Sequence, residues 1–105
     1  MRLGQKQELF SLLMAQHEVW LYDQGYKIRG GHFLRCENCQ VGRKTSNHKL
    51  KLAKDINLFK DGDFLTTTED HRFSGEKWES RHDLCSWGGH FNDGNHYSLK
   101  HNGRR

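Results

Sequence analysis

The chain has 105 residues, a formal net charge of +4 and 33% apolar residues, which together indicate one small domain with a modest core. The apolar runs are too short to span a bilayer, and the N-terminus lacks the basic and then apolar layout of a signal peptide. We therefore expect a single monomeric domain over residues 1–105, without a transmembrane segment, that folds in the cytoplasm.

The first part of the chain predicts a helix and then a strand. Apolar residues recur at helical spacing over about residues 5–24, and Gly25 follows as a C-terminal stop. Near-alternation over residues 26–34 predicts a strand that bends at Gly30-Gly31. Residues 36–47 are rich in turn formers and charge, and are predicted to be a loop.

The second part predicts a hairpin, a short helix and two more strands. Residues 50–59 have apolar side chains at even positions, which places Asp55 on the opposite face of the strand from Ile56. Asp61-Gly62 predicts a tight turn before a return strand. Ser74 predicts the N-cap of a short helix, and two strands are predicted around 87–91 and 97–99. This order favours an α+β domain around a small antiparallel sheet.

Two segments carry imidazoles and carboxylates that neighbouring strands would bring together. His48 lies just before the strand of Asp55, and Asp93 lies three residues before His96 at a turn into a later strand. Two histidines and one carboxylate are a common ligand set for catalytic zinc, with a fourth position for water. The pattern predicts Zn²⁺ at His48, Asp55 and His96, with Asp93 as the base for that water.

These segments resemble the signatures of a zinc-peptidase family. Ser46-x-His48, six residues and then Asp55, with Ala53 two positions earlier, is similar to the Ser-x-His-x-x-Gly-x-Ala-x-Asp motif. This motif belongs to D-alanyl-D-alanine carboxypeptidases and phage L-alanyl-D-glutamate endopeptidases, in one superfamily with lysostaphin and Hedgehog. The family's second signature has an acid three residues before a histidine, as in 93–96. Segments at 52–59, 78–80 and 87–89 resemble small phage-borne members, so the resemblance covers about residues 25–99.

The resemblance implies a fold and an activity. The fold would be the Hedgehog/D-Ala-D-Ala-peptidase-like α+β domain, with the zinc site on its sheet. The activity would be hydrolysis of a peptide bond in the stem peptides of bacterial peptidoglycan, as in an endolysin used by a bacteriophage for lysis. Such an enzyme would be made in the host cytoplasm and would act on the cell wall after release.

The resemblance also assigns roles to residues. It implies that His48, Asp55 and His96 bind zinc, that Asp93 is the catalytic base and that Ser46 supports the site.

Further roles concern the substrate side of the site. The family has an arginine upstream of the first histidine that stabilises the developing oxyanion. Arg35 is the first candidate for it and Arg43 the second, and Trp87 is expected to shape the cleft. Lys51 departs from the family pattern, because the motif has glycine there, and Ser98 replaces a common glutamate.

A second interpretation starts from the basic residues and the cysteines. Clusters at 43–44, 49–54 and in a flexible tail at about 100–105 favour polyanions without selecting a specific nucleic acid. Cys36-x-x-Cys39 has the spacing to form a structural zinc site with Cys85 and one histidine, but a single such pair is a weak signal that fits simple loop thiols better, and a redox pair is the third alternative. The alternative function is a non-catalytic basic module that binds nucleic acid or cell-wall polymer.

The remaining histidines are expected to be solvated, with His90 near the cleft. They are His17, His32, His71, His82, His90 and His101.

Overall fold

The structure is a computed structural model that describes residues 1–30 and 52–101. Within these ranges the chain is an α+β domain with two α-helices and a five-stranded antiparallel sheet. The elements in chain order are α1 (Leu3–Asp23), β1 (Tyr26–Gly30), β2 (Ala53–Lys60), β3 (Asp63–Phe64), α2 (Arg72–Ser80), β4 (Cys85–Trp87) and β5 (His96–Leu99). Single 3₁₀ turns at Glu69–His71 and Gly88–Phe91 precede α2 and follow β4. The predicted fold class is confirmed at this level.

Strand β2 organises the sheet. The strand order is β1-β2-β5-β4, with β3 paired to the end of β2. The first three residues of β2 pair with β5, and its last five pair with β1. Strand β2 is hydrogen-bonded to β1, β3 and β5. Residues of these strands that are far apart in sequence are therefore held at fixed positions relative to one another.

The core lies between the helices and one face of the sheet. Helix α1 contributes five buried side chains, and the other buried apolar residues are Leu52 and members of β1, β2, α2, β4 and β5. Trp78 of α2 packs edge to face against Phe10 and Tyr97, with ring centroids 5.8 and 6.1 Å away. Its indole N–H is shared between the carbonyls of Ser86 and Ser98, at 3.1 Å each. One buried side chain thus joins both helices to β4 and β5.

Several predicted elements have the expected position. Helix α1 ends at Asp23, and Gly25 follows with a positive φ of 92°. In the hairpin turn Asp61 and Gly62 have φ of 53° and 84°, as a type I′ turn requires. No helix in the described ranges is both long enough and apolar enough to cross a membrane.

Other elements differ from the sequence prediction. Helix α2 begins at Arg72, and Ser74 is a buried residue inside the helix, so its prediction as the N-cap was wrong. The strand predicted around 87–91 lies at Cys85–Trp87, and a 3₁₀ turn occupies Gly88–Phe91. At the C-terminal end, Lys6 Nζ contacts His101 Nδ1 at 3.0 Å, so the first residues of the predicted tail lie against α1.

Candidate metal centre

The candidate site lies on the sheet face opposite the core. Side chains alternate along a strand, so the burial of Ile56 and Leu58 in the core turns Asp55 toward the other face. The antiparallel register of β2 and β5 pairs Asp55 directly with His96. Paired residues of neighbouring strands have adjacent side chains on the same face. Two of the three predicted zinc ligands therefore lie side by side.

The turn at residues 93–96 is held by a dense set of hydrogen bonds. Asp93 N–H donates to Gly88 O at 2.9 Å, and His96 N–H donates to Asp93 O at 3.0 Å. The Ile56 N–H donates to the carbonyl of Asn95 at 2.8 Å, which ties the turn to β2. Two of these bonds join the turn to neighbouring elements and the third closes the turn itself, so the position of Asp93 relative to His96 is fixed by the fold.

Trp87 supports this turn from behind. Its indole N–H donates to the carbonyl of Gly94 at 2.7 Å, and its side chain is buried. Its ring is covered by Gly75 and Gly89, where an added Cβ would collide with the indole. The structure thus places Trp87 in the wall beneath the turn at 93–96.

The separation of Asp55 and His96 suits two ligands of one cation, and Asp93 lies farther from the same imidazole. His96 Nδ1 lies 3.6 Å from Asp55 Oδ1 and 4.0 Å from Asp93 Oδ2. Both separations exceed a direct hydrogen bond. Two atoms bound tetrahedrally to zinc at roughly 2.0–2.2 Å are themselves about 3.3–3.6 Å apart, so His96 and Asp55 fit the group as a ligand pair.

Burial divides the three residues into two kinds. The side chains of His96 and Asp55 are 8% and 13% exposed, whereas that of Asp93 is 52% exposed. A buried pair is suited to hold an ion in place, because few waters compete for it. The exposed carboxylate is suited to exchange protons with substrate and solvent.

The remaining predicted site residues lie outside the described ranges. They are Arg35, Arg43, Ser46 and His48, together with Cys36 and Cys39 of the alternative metal site. Within residues 1–30 and 52–101 no group of three histidine, cysteine or acidic side chains has the arrangement of a complete metal site. The zinc site as predicted includes a third ligand, His48, from beyond those ranges.

Cys85, the third member of the alternative site, is a buried thiol. Burial in the core raises its pKa to about 12, more than the opposing effect of the Arg81 charge. A cysteine binds metal as the thiolate, and this environment favours the protonated thiol.

A chain of buried polar groups, which the sequence did not predict, lies behind the site. His17 Nε2 lies 2.9 Å from Ser74 Oγ, which lies 2.8 Å from Tyr97 Oη. The Tyr97 hydroxyl in turn lies 3.2 Å from His71 Nδ1. His17 and His71 are 0% and 3% exposed, so their prediction as solvated histidines was wrong. The available signal was the position of His17 on the apolar face of α1, four residues from both Leu13 and Leu21.

Both buried histidines are neutral at pH 7. Burial, followed by the charges of Arg81 and Lys77, lowers the pKa of His17 to about 3. Burial also lowers the pKa of His71, against a hydrogen bond with the Leu65 carbonyl. Arg81 Nε donates to His17 Nδ1 at 2.9 Å, so the proton of this neutral ring is on Nε2 and is donated to Ser74.

Comparisons of the chain with protein-family models, with curated proteins and with solved structures each found no match.

Proposed function

We propose that this protein is a zinc-dependent peptidase that hydrolyses a peptide bond in the stem peptides of bacterial peptidoglycan. The observation that carries the proposal is the register of β2 and β5, which pairs Asp55 with His96 and leaves Asp93 at 4.0 Å from the same imidazole. In the proposal His48 completes the ligand set. The two signatures of the resembled family likewise combine zinc-binding histidines and an aspartate with a nearby acid.

The proposed roles follow from burial and hydrogen bonding. Asp55 and His96 hold the ion from neighbouring strands, and the shared register keeps their separation constant. A bound Zn²⁺ ion would supply Lewis-acid polarisation of the scissile carbonyl. Asp93 takes the proton of the attacking water and delivers it to the leaving amine, a task that suits an exposed carboxylate on a rigid turn.

The substrate class follows from the resemblance and is supported by charge. The net charge of +4 attracts the anionic polymers of a cell wall over a distance of about 10 Å at moderate salt. Ser46 as a supporting residue, Arg35 or Arg43 as the oxyanion donor, and use in phage lysis belong to the same proposal.

The proposal is tested by metal content and wall hydrolysis in matched variants. Purified protein should contain about one zinc ion per chain and release muropeptide fragments from purified cell wall. Asp55→Asn and His96→Gln should lose both zinc and activity. Asp93→Asn should keep zinc and lose roughly 10²–10⁴-fold in turnover, as expected when a general base is removed. Asp63→Asn, an exposed carboxylate in the hairpin, is the control and should behave as wild type.

A different set of results would sink the proposal. Metal-free protein, or activity that survives both Asp93→Asn and a chelator, contradicts a zinc peptidase. Binding to nucleic acid or wall polymer that weakens steeply with salt and does not change in His96→Gln would instead support the basic binding module.

A further inference from the structure

The outer face of helix α1 carries a second apolar stripe. The buried side chains of the helix lie on one side, and Leu12, Ala15, Val19 and Tyr22 follow one another on the opposite side. The side chains of Leu12, Val19 and Tyr22 are 56%, 64% and 52% exposed. A contiguous exposed apolar patch on a soluble protein often marks an interaction site. We call these four residues the α1 seam.

The spacing of the α1 seam is that of a helix pair. Steps of three, four and three residues place positions 12 and 19 at the a positions of a heptad, and 15 and 22 at its d positions. Such a seam packs against a second helix with the same spacing, because side chains of each helix insert between those of the other. A second copy of the chain supplies that helix.

The α1 seam is complementary to itself when two helices run antiparallel. With a two-fold axis near the middle of the seam, Leu12 lies opposite Tyr22 of the second copy, and Ala15 lies opposite Val19 of the second copy. A shallow apolar hollow of about 400 Å³, lined by Ala15 and Trp20 among others, lies at this point of α1. The small side chain of Ala15 thus leaves room for the valine of the other helix.

Charges along α1 favour this antiparallel direction. In a parallel pair Glu8, at the preceding d position, would face its own copy, and the two carboxylates would repel. In the antiparallel pair Glu8 lies beyond the end of the other helix, which stops at Asp23. The two copies of Glu18 then approach each other at the flank, but Lys54 Nζ lies 2.9 Å from Glu18 Oε1 within each chain and neutralises it.

We propose that the α1 seam is a homodimer interface in which two copies of α1 pack antiparallel. The proposal does not depend on peptidase activity, and it differs from the monomer expected from the sequence. The seam extends over about 15 Å of helix, so the contact is smaller than the roughly 800 Å² per partner of a standard interface. We therefore expect a weak dimer, with a Kd of roughly 10–500 μM.

The dimer directs its two candidate metal centres away from each other. Helix α1 packs on one face of the sheet, whereas Asp55 and His96 lie on the other face. The α1 seam is therefore on the far side of the domain from the candidate metal centre, and each outer surface of the dimer presents one centre. Where the proposed function holds, the dimer contacts a wall polymer at two places, which raises its retention on the polymer through effective concentration.

The first test is sedimentation velocity of the full chain between about 10 μM and about 1 mM, a range that brackets the expected Kd. The wild type should shift from monomer to dimer. Val19→Glu should raise the Kd at least about 100-fold, because each dimer would bury two unpaired carboxylates. Phe64→Glu adds the same charge at an exposed apolar residue of the hairpin and should keep the wild-type Kd. A wild type that stays monomeric, or a Val19→Glu variant that associates like the wild type, overturns the proposal.

The second test concerns the direction of the two helices. Ala15→Lys and Val19→Glu should each be monomeric alone, since each places an unpaired charge in the seam. Mixed in equal amounts, they should associate with a Kd at least about tenfold below that of either variant, because positions 15 and 19 then face each other with opposite charge. A mixture that stays monomeric contradicts the antiparallel pairing.

The dimer and the peptidase fail separately, because sedimentation requires no catalysis. Val19→Glu should cut a soluble stem peptide at the wild-type rate and should be retained less on insoluble cell wall. A chain that dimerises but hydrolyses nothing ends the peptidase proposal and leaves the interface standing. A monomeric chain that co-sediments with phosphatidylglycerol vesicles assigns the α1 seam to a lipid surface and overturns the dimer.

Discussion

Gly88 fixes the position of the candidate base. A Cβ on Gly88 would collide with the carbonyl oxygen of Asp93 and would lie 2.8 Å from the Cβ of His96. The turn at 93–96 is bonded to β2 and to Trp87, so it cannot move away without loss of those hydrogen bonds.

We therefore expect Gly88→Ala to destabilise the fold by roughly 1–3 kcal/mol, the usual cost of overpacking, and to disturb the separation of Asp93 and His96. Urea unfolding measures the first effect, and wall hydrolysis the second. Gly4→Ala is the matched control, because nothing lies within 4 Å of an added Cβ in this helical position. Alanine is the better helix former, so the control should be neutral or more stable by up to about 1 kcal/mol. Equal stability of the two variants would show that the turn at 93–96 can shift to accommodate the added Cβ at little cost in free energy.

The sequence predicted that Asp55 faces away from the core, but it did not predict the strand register that pairs Asp55 with His96. Alternation along 50–59 was enough to turn Asp55 away from the core, because burial of Ile56 decides the face. The pairing of Asp55 with His96 joins strands about forty positions apart, and a slip of one residue would turn one of them to the other face. That register is set by the packing of β5 beneath the helices, which no local pattern contains. The predictions for His48, Ser46, Arg35 and Arg43 lie outside the described residues.

At the scale of elements, Tyr97 connects the candidate site to the second helix. Its ring packs against Trp78, and its hydroxyl lies between Ser74 and His71. Tyr97 follows His96 directly in β5, so the same hydroxyl that orders the start of α2 also anchors the strand that carries the candidate ligand.

Removal of that hydroxyl should cost more than the removal of an exposed one. Tyr97→Phe removes a hydrogen-bond partner of both Ser74 Oγ and His71 Nδ1 in the core. We therefore expect the free energy of unfolding to fall by about 1–3 kcal/mol. Tyr22→Phe removes a hydroxyl at the surface that accepts from the Ile28 N–H at 3.3 Å, and it should cost well under 1 kcal/mol. Chemical denaturation of both variants makes the comparison. A Tyr97→Phe protein as stable as Tyr22→Phe would mean that water replaces the lost partner.

The helices show where prediction from sequence fails for a physical reason. The apolar spacing of α1 and the Asp61-Gly62 turn are local signals, and both were read correctly. Serine is common at N-caps because its oxygen satisfies a free backbone N–H, which made Ser74 look like a helix start. In the structure the same oxygen hydrogen-bonds His17 and Tyr97 instead. These partners come from α1 and β5, so the role of Ser74 depends on tertiary packing and not on the local sequence.

At the scale of the whole molecule, the buried histidines couple stability to pH. His17 lies where α1, α2 and β5 meet: it bonds Ser74, stacks on Trp20 and contacts the rings of Trp78 and Tyr97. Burial lowers the pKa of His17 to about 3 in the folded protein, whereas the ordinary value of 6.5 applies to the unfolded chain. Between these two values the unfolded chain binds a proton that the folded chain does not.

The free energy of unfolding should therefore fall as the pH falls from about 6.5 toward 3, and should be insensitive to this residue above 6.5. The slope from one such group approaches about 1.4 kcal/mol per pH unit, and the lowered pKa of His71 acts in the same direction. Urea unfolding at closely spaced pH values should show this slope in the wild type. His17→Gln retains groups that can bond Arg81 and Ser74, but it cannot take up the proton.

The variant should be less stable at pH 7 and have a visibly shallower slope between pH 6.5 and 4. His90→Gln is the matched control, since His90 is 53% exposed and contacts Glu79 at the surface, and it should retain the wild-type slope. If His17→Gln also retains that slope, the acid sensitivity of the fold arises from other groups and the junction of α1, α2 and β5 tolerates a charged imidazole. A loss of slope confined to His17→Gln would instead place the acid-labile point of the molecule directly behind the strand that carries His96.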